Sequence, residues 1–395
     1  MLGEASPSLP PVFDLLATDP DCQARRGCLL TAHGPIQTPV FMPVGTQGSV
    51  KTLHPEELRL LQAEVILGNT YHLWLRPGER VIHELGGLHG FAAWERPLLT
   101  DSGGFQVWSL AKLRKITEEG ARFQNHLDGS PMLLTPEKSM EIQATLGSDI
   151  AMLFDECPPY PCKRIYAEDS TALTTRWAER CRSWHQQHAA NHFPVVRHSL
   201  ASAQRQLIFA IVQGSVYADL REQSARDLCS LGFDGYAIGG VSVGEPEEEM
   251  FRAIEHSVPF LPSNKPRYAM GLGTPPQILE MIARGVDMFD CVHPTRSARH
   301  GLAFTPDGPI HIKNARFERD SAPLTDDCHP HVAPFSRAYL RHLFRAGEML
   351  ALRLLSFHNL DFYLRLMRSA RDAIEAGNFK DFQASFCERY NHQSQ

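Results

Sequence analysis

Apolar residues along the chain gather into short runs that break off at a glycine or a polar residue, and this happens eight times. The runs are Val40–Gly45, Glu64–Asn69, Pro97–Gly103, Asp149–Glu156, Leu207–Gly214, Gly235–Gly240, Arg267–Gly273 and Met288–His293. Most are followed by apolar positions at helical spacing, as in Thr135–Thr145 and Pro276–Arg284. Nearly continuous apolar strands alternating with helices predict a parallel sheet covered on both faces. Eight such units over roughly 250 residues predict a closed (β/α)8 TIM barrel. An open doubly wound sheet is the competing architecture, but no G-x-G-x-x-G opens a first helix.

The rhythm breaks after about residue 300. Residues 1–300 are therefore read as a barrel with an N-terminal extension, and 301–395 as a C-terminal helical subdomain packed on it. Ser336–Arg345, Glu348–Phe357 and Leu360–Ala376 are expected to be three helices. Arg337, Arg341 and Arg345 recur every fourth residue and would form one stripe. From Arg337 to Arg371 there are seven arginines against two acids, Glu348 and Asp361. A solvated helix face explains such a stripe plainly; phosphate binding through forked guanidinium contacts is the sharper alternative.

Composition removes several classes of protein. A 43% hydrophobic and 21% charged chain of 395 residues is an ordinary globular one. No apolar run approaches the length of a membrane-spanning helix. The first twenty residues lack the basic and apolar segments of a secretory leader. Nine cysteines with no Cys-x-x-Cys pair suggest reduced thiols and a cytoplasmic location. A net charge of −6 argues against a protein that coats nucleic acid nonspecifically, yet permits one basic face.

The carboxyl ends of the predicted strands carry Asn69, Asp101, Asp155, Gln213, Gly239 and Gly240, Gly271 and Asp290. In a closed barrel these converge on one mouth, where active sites of this fold lie. Three segments concentrate the chemistry. Leu99-Thr100-Asp101-Ser102-Gly103-Gly104-Phe105-Gln106-Val107 sets a carboxylate beside two glycines that admit a ligand close to the backbone. Met152-Leu153-Phe154-Asp155-Glu156-Cys157-Pro158-Pro159-Tyr160 is the second. Met288-Phe289-Asp290-Cys291-Val292-His293-Pro294-Thr295-Arg296-Ser297-Ala298-Arg299 is the third.

With these motifs in this order the sequence resembles the catalytic tRNA-guanine transglycosylases of queuosine biosynthesis, from about Val12 to Met367. Phe41-Met42-Pro43-Val44-Gly45-Thr46, Gly68-Asn69-Thr70-Tyr71-His72-Leu73 and Ile211-Val212-Gln213-Gly214 belong to the same likeness. So do Gly239-Gly240-Val241-Ser242-Val243-Gly244-Glu245, Met270-Gly271-Leu272-Gly273-Thr274-Pro275 and Ser336-Arg337-Ala338-Tyr339-Leu340. The resemblance implies an irregular TIM barrel with an appended tRNA-binding subdomain. It implies exchange of guanine at the wobble position of tRNAs with GUN anticodons for a 7-deazaguanine. It also implies a homodimer. Exchange with retained configuration needs two inversions, hence a covalent glycosyl-enzyme and a carboxylate nucleophile. The resemblance gives that role to Asp290 and the general acid/base role to Asp101.

For the base edge it implies Asp155, Gln213, Gly239 and the Gly240 N–H, with Ser102, Gly103 and Gly104 beside them. Phe105 and Met270 would sandwich a flipped-out base. Gly271, Leu272, Gly273, Thr274 and Pro275, with Thr295, Arg296, Ser297, Ala298 and Arg299, correspond to the family's RNA-gripping segments. Cys157 and Val243 resemble the bacterial pattern, which takes preQ1 (7-aminomethyl-7-deazaguanine). Ser242, more often alanine there, leaves queuine as the alternative incoming base.

The resemblance breaks at the family's Cys-x-Cys-x-x-Cys zinc motif. Here the segment reads Asp326-Asp327-Cys328-His329-Pro330-His331-Val332-Ala333-Pro334-Phe335-Ser336, and the distant ligand corresponds to His358. Either Cys328, His331 (or His329) and His358 hold zinc, or the metal is lost and packing around Val332 and Phe335 replaces it. Mixed substitution with a deletion favours loss. His185, His188 and His192 fall at i, i+3, i+7 without a local acid or thiol, and read as a solvated helix face. Two other functions remain to be discriminated. A non-catalytic tRNA-holding subunit would lack the two carboxylates. A metal-dependent barrel hydrolase would need a His-x-His that Phe41-Met42-Pro43-Val44 does not offer.

Overall fold

The computed structural model describes residues 11–110, 114–192 and 205–391. Its centre is an eight-stranded sheet in which every pairing is parallel. In chain order the strands are Val40–Pro43, Ile66–Gly68, Leu98–Thr100, Ile150–Met152, Leu207–Val212, Gly235–Ile238, Arg267–Ala269 and Met288–Cys291. The eighth pairs with the first, with Asp290 opposite Met42. A parallel bridge between Val44 and Leu67 joins the first strand to the second and closes the barrel. The eight runs read from the sequence each hold one strand. The strands are shorter than the runs, because the chain leaves the ladder before the residues that carry the chemistry.

Two antiparallel sheets frame this barrel. Phe13–Thr18, Arg25–Thr31 and Gly34–Thr38 form one across the amino ends of the strands. There Arg25 pairs with Asp287 and the His33 turn meets Asp149. Arg114–Thr117, Gly120–Gln124 and Pro131–Leu134 form the other, between the third strand and helix Pro136–Leu146. Helix Arg164–His192 braces it through Arg176 on Glu118 and the Trp177 Nε1–H, which donates to the Glu118 carbonyl at 3.0 Å.

The C-terminal helices are Arg337–Ala346, Met349–Glu375 and Phe379–Asn391. Ser336 caps the first by accepting from the Tyr339 N–H, and Gly347 ends it in the left-handed conformation. The two helices expected over Glu348–Phe357 and Leu360–Ala376 are one helix of 27 residues. No glycine or proline interrupts it, and Asn359, which lies between the two expected spans, is buried and satisfied. Its Nδ2 donates to the Pro294 and Leu302 carbonyls at 2.9 Å each, and its Oδ1 accepts from the Phe304 N–H at 2.9 Å. The long helix therefore fastens residues 294–304, just beyond Asp290, to the barrel.

The arginines of this region are engaged internally. Arg337 pairs with Asp320, Arg341 with Glu318, Arg353 with Glu57, Arg365 with Asp327 and Asp361, and Arg371 with Glu64. These partners account for most of the cationic stripe without a phosphate. Among the described residues no helix is long and apolar enough to cross a membrane.

Candidate active site

Asp101 follows the third strand and is buried at the barrel mouth. Its Oδ1 accepts from the Thr70 N–H at 2.9 Å, and its Oδ2 accepts from Gln106 Nε2 at 2.7 Å and from Asn69 Nδ2. Burial raises its pKa against these donors, to about 6, and the nearby Asp290 adds to the rise. A carboxyl poised there can give and take a proton near neutral pH.

Asp290 lies within the eighth strand, across the mouth. Its Oδ1 accepts from the Tyr268 hydroxyl at 2.5 Å and from the Gly271 N–H at 2.8 Å. Burial raises its pKa as well, while these two bonds oppose the rise. Both bonds fall on one oxygen, so among the described residues no donor occupies Oδ2. Tyr268 is fully buried and feels the charges of both Asp290 and Asp101. Sequence reasoning missed it because a tyrosine inside an apolar strand reads as core. Its place two residues before Met270, on the same face of the extended run, was the available signal.

Asp155 stands just past the fourth strand and is buried. It accepts from Ser102 Oγ at 3.1 Å and Gln213 Nε2 at 2.8 Å, and burial raises its pKa to about 6. The Gln213 Oε1 is buried with no partner among the described residues, the kind of atom a bound polar ligand satisfies. Glycine is required around this group. A Cβ on Gly104 would stand 2.8 Å from the Asp155 carbonyl, and one on Gly240 would stand 2.6 Å from Gln213 Oε1. Gly240 also has φ +61°. Burial pushes the Cys157 and Cys291 thiols upward, so both are pocket wall rather than nucleophiles. Gly103 turns with φ +81° into helix Gly104–Leu110, whose first turn leaves Phe105 45% exposed. Gly239 and the half-buried Met270 follow the sixth and seventh strands.

The expected RNA-gripping residues are brought together only in part. Residues His293–Arg299 are a helix. Thr295 and Ala298 face inward and are buried, whereas Arg296 is exposed with Ser297 and Arg299 half-buried beside it. Burial lowers the Arg299 pKa, and the neighbouring Arg296 charge adds to this. The two cations are thus set side by side on one helix face. In the other segment Leu272 and Pro275 are buried and Thr274 caps helix Pro275–Ala283 through a capping box with Gln277. Gly273 packs so that a Cβ would meet Cys291 Sγ at 2.7 Å. Gly271 alone in this loop is exposed.

The residues of the degenerate zinc motif do not fit a metal. Cys328 Sγ faces His358 Nδ1 at 3.5 Å, while His358 Nε2 donates to the Phe304 carbonyl at 2.7 Å. His331 turns instead to Glu57 at 3.4 Å and against the Phe357 ring, and His329 also packs on Phe357. Two facing donors do not make a tetrahedron.

Among the described residues one group of three has metal-capable atoms together, namely His33, His89 and Asp149. Its two rings stack at 3.6 Å and 14°, each bonded to its own carboxylate oxygen, so their in-plane lone pairs do not converge on one ion. His185 departs from the expected solvated face. It is half-buried, with its pKa lowered by burial to about 4, while His188 stacks exposed on Trp184. The His192 side chain lies outside the described residues.

Fold and site together define a class: a (β/α)8 barrel whose mouth sets a pair of carboxylates across from one another beside a third carboxylate and an amide. Residues 20–392 match the family described as Queuine tRNA-ribosyltransferase. The chain is 51% identical over 381 residues to the queuine tRNA-ribosyltransferase of Natranaerobius thermophilus, covering 96% of this chain and 99% of that one. It is 52% identical over 370 residues to that of Bacillus subtilis, covering 93% of each. The chain belongs to this family, the tRNA-guanine transglycosylases.

Proposed function

We propose that this chain is a pentosyltransferase that exchanges guanine at the wobble position of GUN-anticodon tRNAs for preQ1. The observation that carries the reading is the pair across one mouth, Asp101 buried and Asp290 half-buried, with one oxygen of Asp290 held by donors and no donor on the other among the described residues. Asp290 Oδ2 attacks C1′ from the face opposite the base, and the pair of the C1′–N9 bond leaves with guanine. Asp101 supplies the proton to the departing base and takes one from N9 of the incoming base. The second attack at C1′ restores the configuration and frees Asp290.

Asp155 accepts from the two donors of the purine edge, while Gln213 and the Gly240 N–H donate to its carbonyl oxygen. Phe105 and Met270 close on the two faces of the ring. Arg296 and Arg299, like charges side by side with no acidic partner among the described residues, suit a flanking phosphate. Cys157 and Val243 support preQ1 over queuine. The work takes place in the cytoplasm, on a homodimer in keeping with the family resemblance, and no step uses zinc.

Incubating the protein with radiolabelled guanine and such a tRNA tests the reading. Label is expected at the wobble position, chased by unlabelled preQ1 more readily than by queuine. No incorporation by the chain alone would favour a non-catalytic tRNA-holding subunit. Zinc well below one equivalent in the purified protein, unchanged in Cys328→Ala, is the expected metal analysis.

A further inference from the structure

Beneath the loops that carry Gln213, Gly239 and Gly240 lies an arginine that the scheme above does not use. Arg221 belongs to helix Ala218–Leu231 and is fully buried. Its Nε donates to the Ser215 carbonyl at 2.7 Å, and its Nη1 to the Gly239 carbonyl at 2.9 Å and the Val212 carbonyl at 3.5 Å. Its Nη2 donates to the Gly240 carbonyl at 3.3 Å. These partners are all backbone oxygens, although a buried cation ordinarily finds a carboxylate. Burial lowers its pKa to about 10, which leaves it charged at neutral pH. Glu245, an acid whose charge it feels, has its oxygens on the Ser242 and Val243 N–H groups. The chain also makes room for it: a Cβ on Gly214 would meet the Arg221 backbone N at 2.7 Å.

The Gly239 carbonyl and the Gly240 N–H belong to one peptide and point in opposite directions. A guanidinium holding the carbonyl therefore turns the N–H away from itself, and strengthens it as a donor. We propose that Arg221 is a positioning and specificity residue for the base, acting through the Gly239–Gly240 peptide on the purine carbonyl oxygen. As the C1′–O bond to Asp290 forms and the C1′–N9 bond breaks, the electron pair passes to the purine. Part of that charge reaches the carbonyl oxygen, where a donor polarised by a buried cation stabilises it. This role rests on the transglycosylase reading.

The test compares guanine with 2-aminopurine, which lacks the carbonyl oxygen, as ligands for wild type, Arg221→Gln and Arg221→Lys. Arg221→Gln is expected to raise KM for guanine roughly ten- to a hundred-fold. KM for tRNA should move less than about threefold. The inhibition constant of 2-aminopurine should hardly move, so the preference for guanine shrinks. Arg221→Lys keeps the charge without the fork and should fall between. Equal losses for both purines, or an unmoved guanine KM, overturn the proposal. Should Arg221→Gln fail to fold, as read by circular dichroism, Arg221→Lys decides by the same ratio. Absence of exchange by wild type would sink the transglycosylase reading itself, whereas exchange with unmoved selectivity sinks only the role of Arg221.

Discussion

At the amino end of the barrel, Asp149, Asp234 and Asp287 each stand one residue ahead of a strand, and each is surrounded by donors. Asp149 accepts from the His33 N–H and Nδ1 at 2.9 and 2.8 Å, His89 Nε2 at 3.1 Å and the Leu98 N–H at 2.9 Å. Asp234 takes a forked pair from Arg205 at 2.7 Å each. Asp287 takes one from Arg25 at 2.9 and 2.5 Å. Burial alone would raise the Asp149 pKa, but the two histidines overturn it and hold the carboxyl well below the usual range. At the opposite end, Asp101 and Asp155 are also buried and Asp290 is half-buried, yet their donors do not offset burial and all three are pushed up. One side chain thus serves two ends of a fold. Compensated, it ties strands to the outer layers; undercompensated, it holds reactivity that a substrate can use.

The sharpest way to break this contrast is to remove one aspartate from each end. Asp290→Ala should lower the exchange rate by about four orders of magnitude or more, with tRNA affinity nearly intact. A modest loss measured by guanine exchange would remove Asp290 from the chemistry. Asp149→Ala should instead cost about 3–5 kcal/mol of stability, since it strands buried donors, and leave turnover per folded molecule unchanged. Urea unfolding measures it, and an unchanged midpoint would refute the role given to the amino end.

Asp155→Asn should weaken base binding roughly ten- to a hundred-fold without lowering the melting temperature, because it relieves a buried charge. The pH dependence sharpens this further. A carboxyl whose folded pKa is about 6 costs stability above its unfolded value near 3.8, and that cost fades as pH falls through 6 toward 4. The stability gap between wild type and Asp155→Asn should therefore close on acidification from pH 7 to 4. Over the same range kcat/KM for the base should fall below pH about 6, as Asp155 and Asp101 take up protons. A rate indifferent to pH between 5 and 7, values bracketing that pKa of about 6, would contradict both assignments. The smallest effect is expected from Arg296→Ala. About tenfold weaker tRNA binding, with a salt dependence shallower by about one phosphate contact, would support its place on the RNA.

The barrel was legible because its parallel strands are apolar on both faces, so each run announces a strand and its break announces the mouth. Asp101, Asp155, Gln213 and Asp290 stood at those breaks. What the pattern hid were residues whose function depends on who faces them. Tyr268 reads as core until its hydroxyl is seen on Asp290. Arg221 reads as a solvated helix residue until the barrel closes over it. The single helix through Asn359 was hidden because the three partners that hold that residue lie more than fifty residues away. The resemblance at Cys328 and His358 likewise could not reveal that His331 turns to Glu57.

The claim on which the rest depends is a bond between Asp290 and the ribose, and it can be observed directly. Protein mixed with a GUN-anticodon tRNA, quenched in acid, digested with nuclease and protease and weighed by mass spectrometry should yield one modified peptide. The ribose-containing adduct is predicted on the peptide bearing Asp290. An adduct on Asp101, or steady guanine exchange with no adduct at all, would contradict the account.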